Sequence, residues 1–434
     1  MSIDANYLPS LICTLLRDPD HPTQDDQVCD LSLQEWHKLF QLARQQRIAT
    51  LLYAQIQQKD IGLPLEIAAL FKTEQRRITM ANLRYYGKLY QIAGTFHQAG
   101  IPFILLKGSH LARLVYPSIG LRVIGDMDIL IPYDDLDQAV QCLCAQGYRA
   151  VSGHHPALSS DAAVMRHLTG LIKENSPLVE LHWHVAKQET PNYDVAELWA
   201  RAQAVEMDGV PVRVLAPEDL LIHLCVHASY HHQYAFDLRG LWDIREMCRK
   251  FTQMDWAAVF ERCQRWQVER GVYTTLRLAA EMVGAEIPVW VLQRSMLGPE
   301  QQAILVAARQ QLLAGNTRQI GLNRQVTRLY SVESWHKRLR ILRERLLPSR
   351  AFMARYYPVP ADSPWLFAYY PLRILQVLVK HGPALWRVQT RDPTLMPTTE
   401  RAALIWNWLM ETEDSSYPGH CPKPEGIPTK PSVY

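Results

Sequence analysis

Two aspartates one residue apart, Asp126 and Asp128, interrupt an otherwise apolar run, GDMDILI. In an extended strand, side chains two positions apart share a face. Both carboxylates would therefore point one way, with Met127 and Ile129 opposite. Neighbouring carboxylates repel each other and resist burial. A divalent cation removes that conflict, and Mg²⁺ binds through one or two carboxylates together with substrate phosphates. A third acid, Glu180, lies in VELHWHV, where Val179, Leu181, Trp183 and Val185 alternate with Glu180, His182 and His184. If that strand lies beside the first, Asp126, Asp128 and Glu180 form a three-carboxylate metal site. Such a set suffices for two ions, one activating an attacking oxygen and both bracing a transferred phosphoryl group. The third carboxylate can also serve as general base.

Lys107-Gly108-Ser109 offers complementary chemistry at the junction between the apolar run PFILL and the helical pattern SHLARLVY. Glycine lets a phosphate approach the backbone, and a helix start presents free N–H groups and a positive dipole end. The Ser109 hydroxyl adds a donor, and Lys107 and Arg122 can neutralise phosphate charge. His182 and His184 can line the same nucleotide pocket. Each piece alone has a plain structural explanation: a turn, a helix cap, a half-exposed strand. Their order along the chain gives them weight: strand, Gly-Ser, helix, strand with D-x-D, then a later strand with one acid.

The elements that must position these residues follow from periodicity. The first hundred residues are expected to be helical. From Leu33 the apolar positions Trp36, Leu39, Phe40, Ala43, Ile48, Leu51 and Leu52 recur at helical spacing, with Asp30 or Ser32 as N-cap. A second helix follows Pro64, and a third spans about Met80 to Ala99, stopped by Gly100. Pro102 to Leu106 reads as a buried strand. Ser109 is expected to cap a short helix that ends near Pro117. A strand over roughly Val123 to Ile131 precedes a helix capped by Asp134 or Asp135 and stopped at Gly147, and Tyr148 to Val151 forms a third strand. The poorly patterned residues from Ser152 to Pro177 suggest a loop with one short helix, a candidate acceptor-binding or lid element. AVEMDGVPVRVL reads as a hairpin turning at Asp208-Gly209, with Pro211 putting the second arm at a sheet edge. Pro217 opens a helix with acids in its first turn. Helical patterns continue through 220–229, 238–248, 256–266 and 272–283 and over most of 301–408. The tail after Glu411, rich in Pro, Gly and Ser, is expected to be disordered.

KGSHLARLVY, R-x-x-GDMDILI and VELHWHV together resemble the polymerase-β-type nucleotidyltransferase superfamily, whose pattern is Gly-Ser, then Asp-x-Asp, then a third acid on another strand. More narrowly, the chain resembles a bacterial family of uncharacterised nucleotidyltransferases. GIPFILLKG, a Trp at position 36, Gly147-Tyr148 and PEDLLIHLCVH add to that likeness, which covers roughly residues 30 to 250. The resemblance implies Mg²⁺-dependent transfer of a nucleotidyl group from an NTP, with Asp126, Asp128 and Glu180 as metal ligands. Lys107 departs from the wider superfamily, which has an apolar residue before Gly-Ser.

Composition bounds the remaining classes. Hydrophobic residues make up 48% and charged residues 21%, as in ordinary globular proteins, and the net charge of +3 gives no global pull toward nucleic acid. The eight cysteines form no C-x-x-C pair, which argues against a zinc ribbon and a disulfide framework. The N-terminus lacks the basic region of a signal peptide, and no stretch suits a bilayer span, so a cytoplasmic setting is expected. In HLCVHASYHH, His223, His227 and His231 recur at one-turn spacing, as metal ligands on a helix can. A histidine-bearing helix packed near the site is the favoured reading. The basic residues from Arg318 to Arg355 are read as a solvated helix face rather than an RNA grip, and WLFAYYPLRIL (Trp365 to Leu375) as core rather than a membrane or partner contact.

The expectation is an α+β protein: a small mixed-sheet nucleotidyltransferase core over residues 99–216, a helical N-terminal region over 1–98, a helical C-terminal region over 217–410 and a tail over 411–434. Lys107, Gly108, Ser109, Arg122 and His182 are expected to contact the nucleotide. The expected reaction moves a nucleotidyl group, AMP from ATP, to a hydroxyl on a small molecule or peptide, using one or two Mg²⁺ ions. The alternatives are an inactive nucleotide- or partner-binding module of the same fold and, more weakly, RNA-directed transfer.

Overall fold

A computed structural model describes residues 7–17, 31–151, 168, 170–185, 193–296, 298–314, 335–357, 359–360, 362–393 and 395–411. The chain opens with helices α1 (Tyr7–Leu16), α2 (Leu33–Gln45), α3 (Ala49–Gln58) and α4 (Leu65–Gln98). Ser32 caps α2 in a reciprocal box. Its hydroxyl accepts from the Glu35 N–H, and the Glu35 carboxylate accepts from the Ser32 N–H at 2.7 Å. The apolar periodicity running on to Leu52 belongs to two helices, because Arg47 takes φ 55 and turns the chain between them. Both feed the same apolar cluster, so the spacing does not reveal the break. Conversely, the two helices expected between Pro64 and Ala99 are one. Neither Gly nor Pro falls between Leu65 and Tyr86 to stop α4, which runs 34 residues to the left-handed Gly100.

The centre is a seven-stranded mixed sheet: β1 (Ile104–Leu105), β2 (Asp126–Leu130), β3 (Arg149–Ala150), β4 (Leu171–Ile172), β5 (Leu178–His182), β6 (Gln203–Met207) and β7 (Val210–Val214). The strands lie in the order β3-β4-β5-β2-β1-β7-β6. Helix α5 (Lys107–Leu114) follows β1, and α6 (Leu136–Ala145) follows β2 after a single turn of 3₁₀ helix. One sheet face, carrying Met127, Ile129, Val179 and Leu181, packs with Leu89 and Phe96 of α4 and Leu136, Val140 and Leu143 of α6. The hairpin β6–β7 turns at Asp208 (φ 52) and Gly209 (φ 81), the pair of positive φ values that a type I′ turn requires. Its second arm is not the edge: β7 lies between β1 and β6, and β6 is outermost. Pro211 is tolerated there because β1 reaches β7 only at Leu105↔Val214, so no partner strand needs an N–H at position 211.

After α7 (Val195–Arg201) and the hairpin, the chain is helical: α8 (Pro217–Val226), α9 (Arg239–Lys250), α10 (Trp256–Trp266), α11 (Glu269–Val283), α12 (Val289–Arg294), α13 (Glu300–Leu313), α14 (Trp335–Leu346), α15 (Arg350–Tyr356), α16 (Tyr369–Gln389) and α17 (Met396–Met410). Helix α8 runs into a π-helical turn over His227–His231. Among the described residues no helix is long and apolar enough to cross a membrane. WLFAYYPLRIL is not core as expected: Leu366 is buried, but Trp365, Phe367, Leu372 and Leu375 are exposed. Most of the 152–177 segment, the start of the basic stretch (318–334) and the tail after 411 lie outside the described residues.

Candidate active site

The parallel pairing of β2 with β5 builds the site. Its register sets Asp126 opposite Leu178, Asp128 opposite Glu180 and Leu130 opposite His182. Because the side-chain period is two, in-register parallel strands put Asp126, Asp128, Glu180 and His182 on one sheet face, while Met127, Ile129, Val179 and Leu181 enter the core. The chemistry-bearing face is thus a by-product of burying the other.

Asp128 is the hub. It is buried, and its Oδ1 accepts from Lys107 Nζ at 2.8 Å and from His182 Nε2 at 2.8 Å. Burial alone would push the Asp128 pKa up. The Lys107 ammonium and the His182 hydrogen bond outweigh it and hold the carboxyl well below the usual carboxylate range. Asp128 is therefore the acceptor and His182 Nε2 carries the proton in that bond. Glu180 Oε2 lies 3.6 Å from the same His182 nitrogen. Its pKa is raised, first by burial and then by the Asp128 charge. For Lys107, burial lowers the pKa but the charges of Asp128, Asp126 and Glu180 raise it further, so the ammonium persists.

Asp128, Glu180 and His182 offer ligand atoms within 4.8 Å of one another, two carboxylate oxygens and one imidazole nitrogen, a donor set that fits a divalent cation. The grouping differs from the expected three carboxylates. Asp126 is exposed at the strand's start and lines the same cavity without joining the tight cluster, whereas His182, expected beside the nucleotide, sits inside it.

The Lys-Gly-Ser turn also differs from its expected use. Helix α5 begins at Lys107, not after Ser109, and Ser109 makes no cap bond. Its hydroxyl is buried 2.5 Å from the Tyr85 hydroxyl of α4, while Tyr86 donates to the Ser109 carbonyl at 3.1 Å. Lys107 itself takes φ 43, a left-handed conformation costly for a side-chain-bearing residue, held here by its bond to Asp128. Gly108 makes room for a side chain: a Cβ there would stand 2.7 Å from Arg122 Nη1 and 3.1 Å from Ile124 Cγ2.

Arg122 lines the cavity but is also committed to structure. Its Nε and Nη2 each donate to the Asp243 carboxylate at 2.7 Å, and Tyr116 donates to the same carboxylate at 2.6 Å. Three helices pin the loop before β2. Asn82 of α4 donates to the Arg122 carbonyl at 2.7 Å, Thr50 of α3 to the Leu121 carbonyl at 2.8 Å, and Arg239 of α9 to the Val123 carbonyl at 2.6 Å. The helices therefore position Asp126 and Asp128 as directly as the sheet does.

The cavity in front of the acids has a volume of about 210 Å³. Asp126 and Asp128 line it together with Lys107, Arg47, Arg122, Arg239, His227 and His232, and Asp237 and Asp243 are the counter-charges of Arg47, Arg239 and Arg122. Arg47 and Arg239 were not identifiable from sequence spacing, since they come from the α2–α3 turn and from α9. HLCVHASYHH did carry a signal. His227 and His232 bond through Nε2 atoms 3.2 Å apart at the cavity wall. His223 is buried beneath, with no hydrogen-bond partner for either ring nitrogen, and burial pushes its pKa down to about 3. His184 lies two residues beyond β5, its ring 6.3 Å from that of Tyr193.

Compared with known families, residues 32–284 match a family model described as an uncharacterised nucleotidyltransferase. No curated protein and no solved structure matches the chain.

Proposed function

Because the chain belongs to the uncharacterised nucleotidyltransferase family, a class of nucleotide-transferring enzymes, we propose that it moves AMP from ATP to a hydroxyl of a small molecule or peptide with the help of Mg²⁺, the hydroxyl oxygen bonding to the α-phosphorus as pyrophosphate leaves. The observation that carries this reading is the in-register pairing of β2 with β5, which sets Asp126, Asp128, Glu180 and His182 on one face, with Asp126 and Asp128 lining a cavity that also holds Lys107, Arg47, Arg122 and Arg239. Asp126, Asp128 and Glu180 would hold the metal, while the His182 Nε2–H stays on the Asp128 carboxylate. When bound, the cation supplies charge neutralisation at the phosphates and lowers the pKa of an attacking hydroxyl.

The chain's own residues supply the rest. Lys107, Arg122, Arg47 and Arg239 draw the triphosphate into the cavity, and Gly108 keeps the Arg122 guanidinium close to the start of α5. Glu180, whose raised pKa makes it the better proton acceptor of the two paired acids, can take the hydroxyl proton; Asp128 stays ionised throughout. His182 holds the Asp128 carboxylate in orientation. A cavity of about 210 Å³ is smaller than the roughly 300–1,000 Å³ typical of whole-ligand pockets. It suits phosphates, and the nucleoside would extend into the adjoining groove lined by Arg44, Arg47, Thr50 and Gly125. The test is incubation with labelled ATP, Mg²⁺ and a panel of hydroxyl acceptors. Label should reach an acceptor with the parent chain and be lost with Asp126→Asn and Asp128→Asn. Transfer unchanged in both variants would remove the metal assignment.

A further inference from the structure

Helix α16 and the turn before it carry apolar surface that the described residues do not bury. Leu372, Leu375, Val379 and Trp386, spaced three, four and seven apart, fall on one helix face. Their exposure runs from 43% for Leu372 to 71% for Trp386, and Trp365 and Phe367 just before the helix are exposed at 74% and 58%. Such contiguous apolar surface marks an interaction site rather than scattered surface residues.

The charge of the same segment identifies what it meets. Between Trp335 and Gln389 the sequence has ten Lys and Arg residues and two acids, Glu344 and Asp362, whereas the remainder of the chain has 36 basic and 41 acidic residues. The whole positive balance of the protein therefore falls within the stretch of sequence that carries the exposed apolar face. Arg340, Arg343 and Arg350 are exposed. A second copy of the chain would bring like charge against like. A nucleic acid would meet the charge but leave the Leu and Val stripe uncovered. A bilayer bearing anionic headgroups satisfies both, with negative charge at its surface and hydrocarbon just beneath. No described helix can span a membrane, so the contact is one of lying on the surface.

We propose that the exposed face of Trp365, Phe367 and α16, with the basic residues of α14 and α15, docks the protein on anionic lipid membranes. This does not rest on the nucleotidyl-transfer reading, and its test uses no nucleotide. The full chain is floated with vesicles of phosphatidylcholine alone and with vesicles of phosphatidylcholine mixed with phosphatidylglycerol, at low and high salt. It should float with the mixed vesicles, with a blue shift of tryptophan emission, and much less with the neutral ones. Raising the salt should weaken binding, and Arg340→Gln or Arg343→Gln should each weaken it by about fivefold. Leu375→Glu with Trp386→Glu should abolish it while leaving circular dichroism unchanged, since neither side chain is buried. The proposal is overturned if the chain stays unbound with both vesicle types, or if the double variant binds like the parent. It is also overturned if the double variant abolishes self-association seen by light scattering, or RNA binding, while vesicles are ignored.

Discussion

The Lys107–Asp128 pair is the most exacting place to perturb the site. The carboxylate is 2% exposed and the lysine side chain 18%, so the 2.8 Å contact is largely shielded from solvent. Asp128→Asn leaves the ammonium near Asp126 and Glu180 without its main partner. Breaking a buried pair from one side costs about 3–5 kcal/mol, and the partial exposure of Lys107 sets the expectation near the lower figure. Lys107→Met removes the charge and leaves Asp128 with His182 alone. If the two side chains act through each other, the double variant loses less than the sum of the singles, with a coupling of about 1–3 kcal/mol. The folded Asp128 pKa lies below its unfolded value of about 3.9, so its contribution is complete above that pH and is lost as pH falls toward the folded pKa. Urea unfolding of all four proteins, followed by tryptophan fluorescence at pH 7 and near pH 3, measures both effects. Additive losses at pH 7, or a coupling that grows on acidification, would refute the pairing as the source of the depressed pKa.

Other positions give independent checks. His110 is buried with no partner for Nδ1, and burial pushes its pKa down to about 4. The unfolded chain therefore takes up that proton first, and stability should fall as pH drops from about 6.5 toward 4, by about 3 kcal/mol in total; His110→Leu should flatten that part of a urea-midpoint-against-pH curve. Gly108→Ala would thrust a methyl against Arg122 Nη1. We expect a stability loss of about 1–3 kcal/mol and weaker nucleotide binding by calorimetry, with the helical spectrum retained. Asp243→Asn leaves the Arg122 guanidinium, 5% exposed, without its counter-charge. A loss of about 3–5 kcal/mol in chemical denaturation is expected, and substitution of Arg122 by Met in the same background should recover part of it.

Much of the core could be read from sequence because its signals are local. Alternation in VELHWHV and the D-x-D spacing in GDMDILI each assign faces within one strand, and Asp208-Gly209 assigns the turn. What joined the strands in the reading was chemistry: acids on two apolar strands make sense if they share a ligand, and the family resemblance supplied their order. The long-range choices left no local trace. Arg122 and Asp243 are 121 positions apart, and nothing around either reveals that the arginine expected at a phosphate is also tied to a carboxylate of α9. Lys107 and Asp128 are only 21 apart, but their contact depends on Lys107 adopting φ 43, a conformation that residue type argues against. Ser109 has the position of a cap, but its hydroxyl is taken by Tyr85, from a helix whose continuity the apolar spacing does not reveal. Aromatic density in WLFAYYPLRIL suggests burial and does not reveal that Trp365, Phe367, Leu372 and Leu375 are exposed while Leu366 is buried.

The central claim is that the face shared by β2 and β5 transfers a nucleotidyl group. It is tested most directly by giving the protein ATP labelled at either the α- or the γ-phosphorus, with Mg²⁺ and hydroxyl acceptors. The account predicts that label leaves the α position for an acceptor, that γ label does not, and that Asp128→Asn stops the transfer. Movement of γ label alone, or α transfer undiminished in Asp128→Asn, would contradict it.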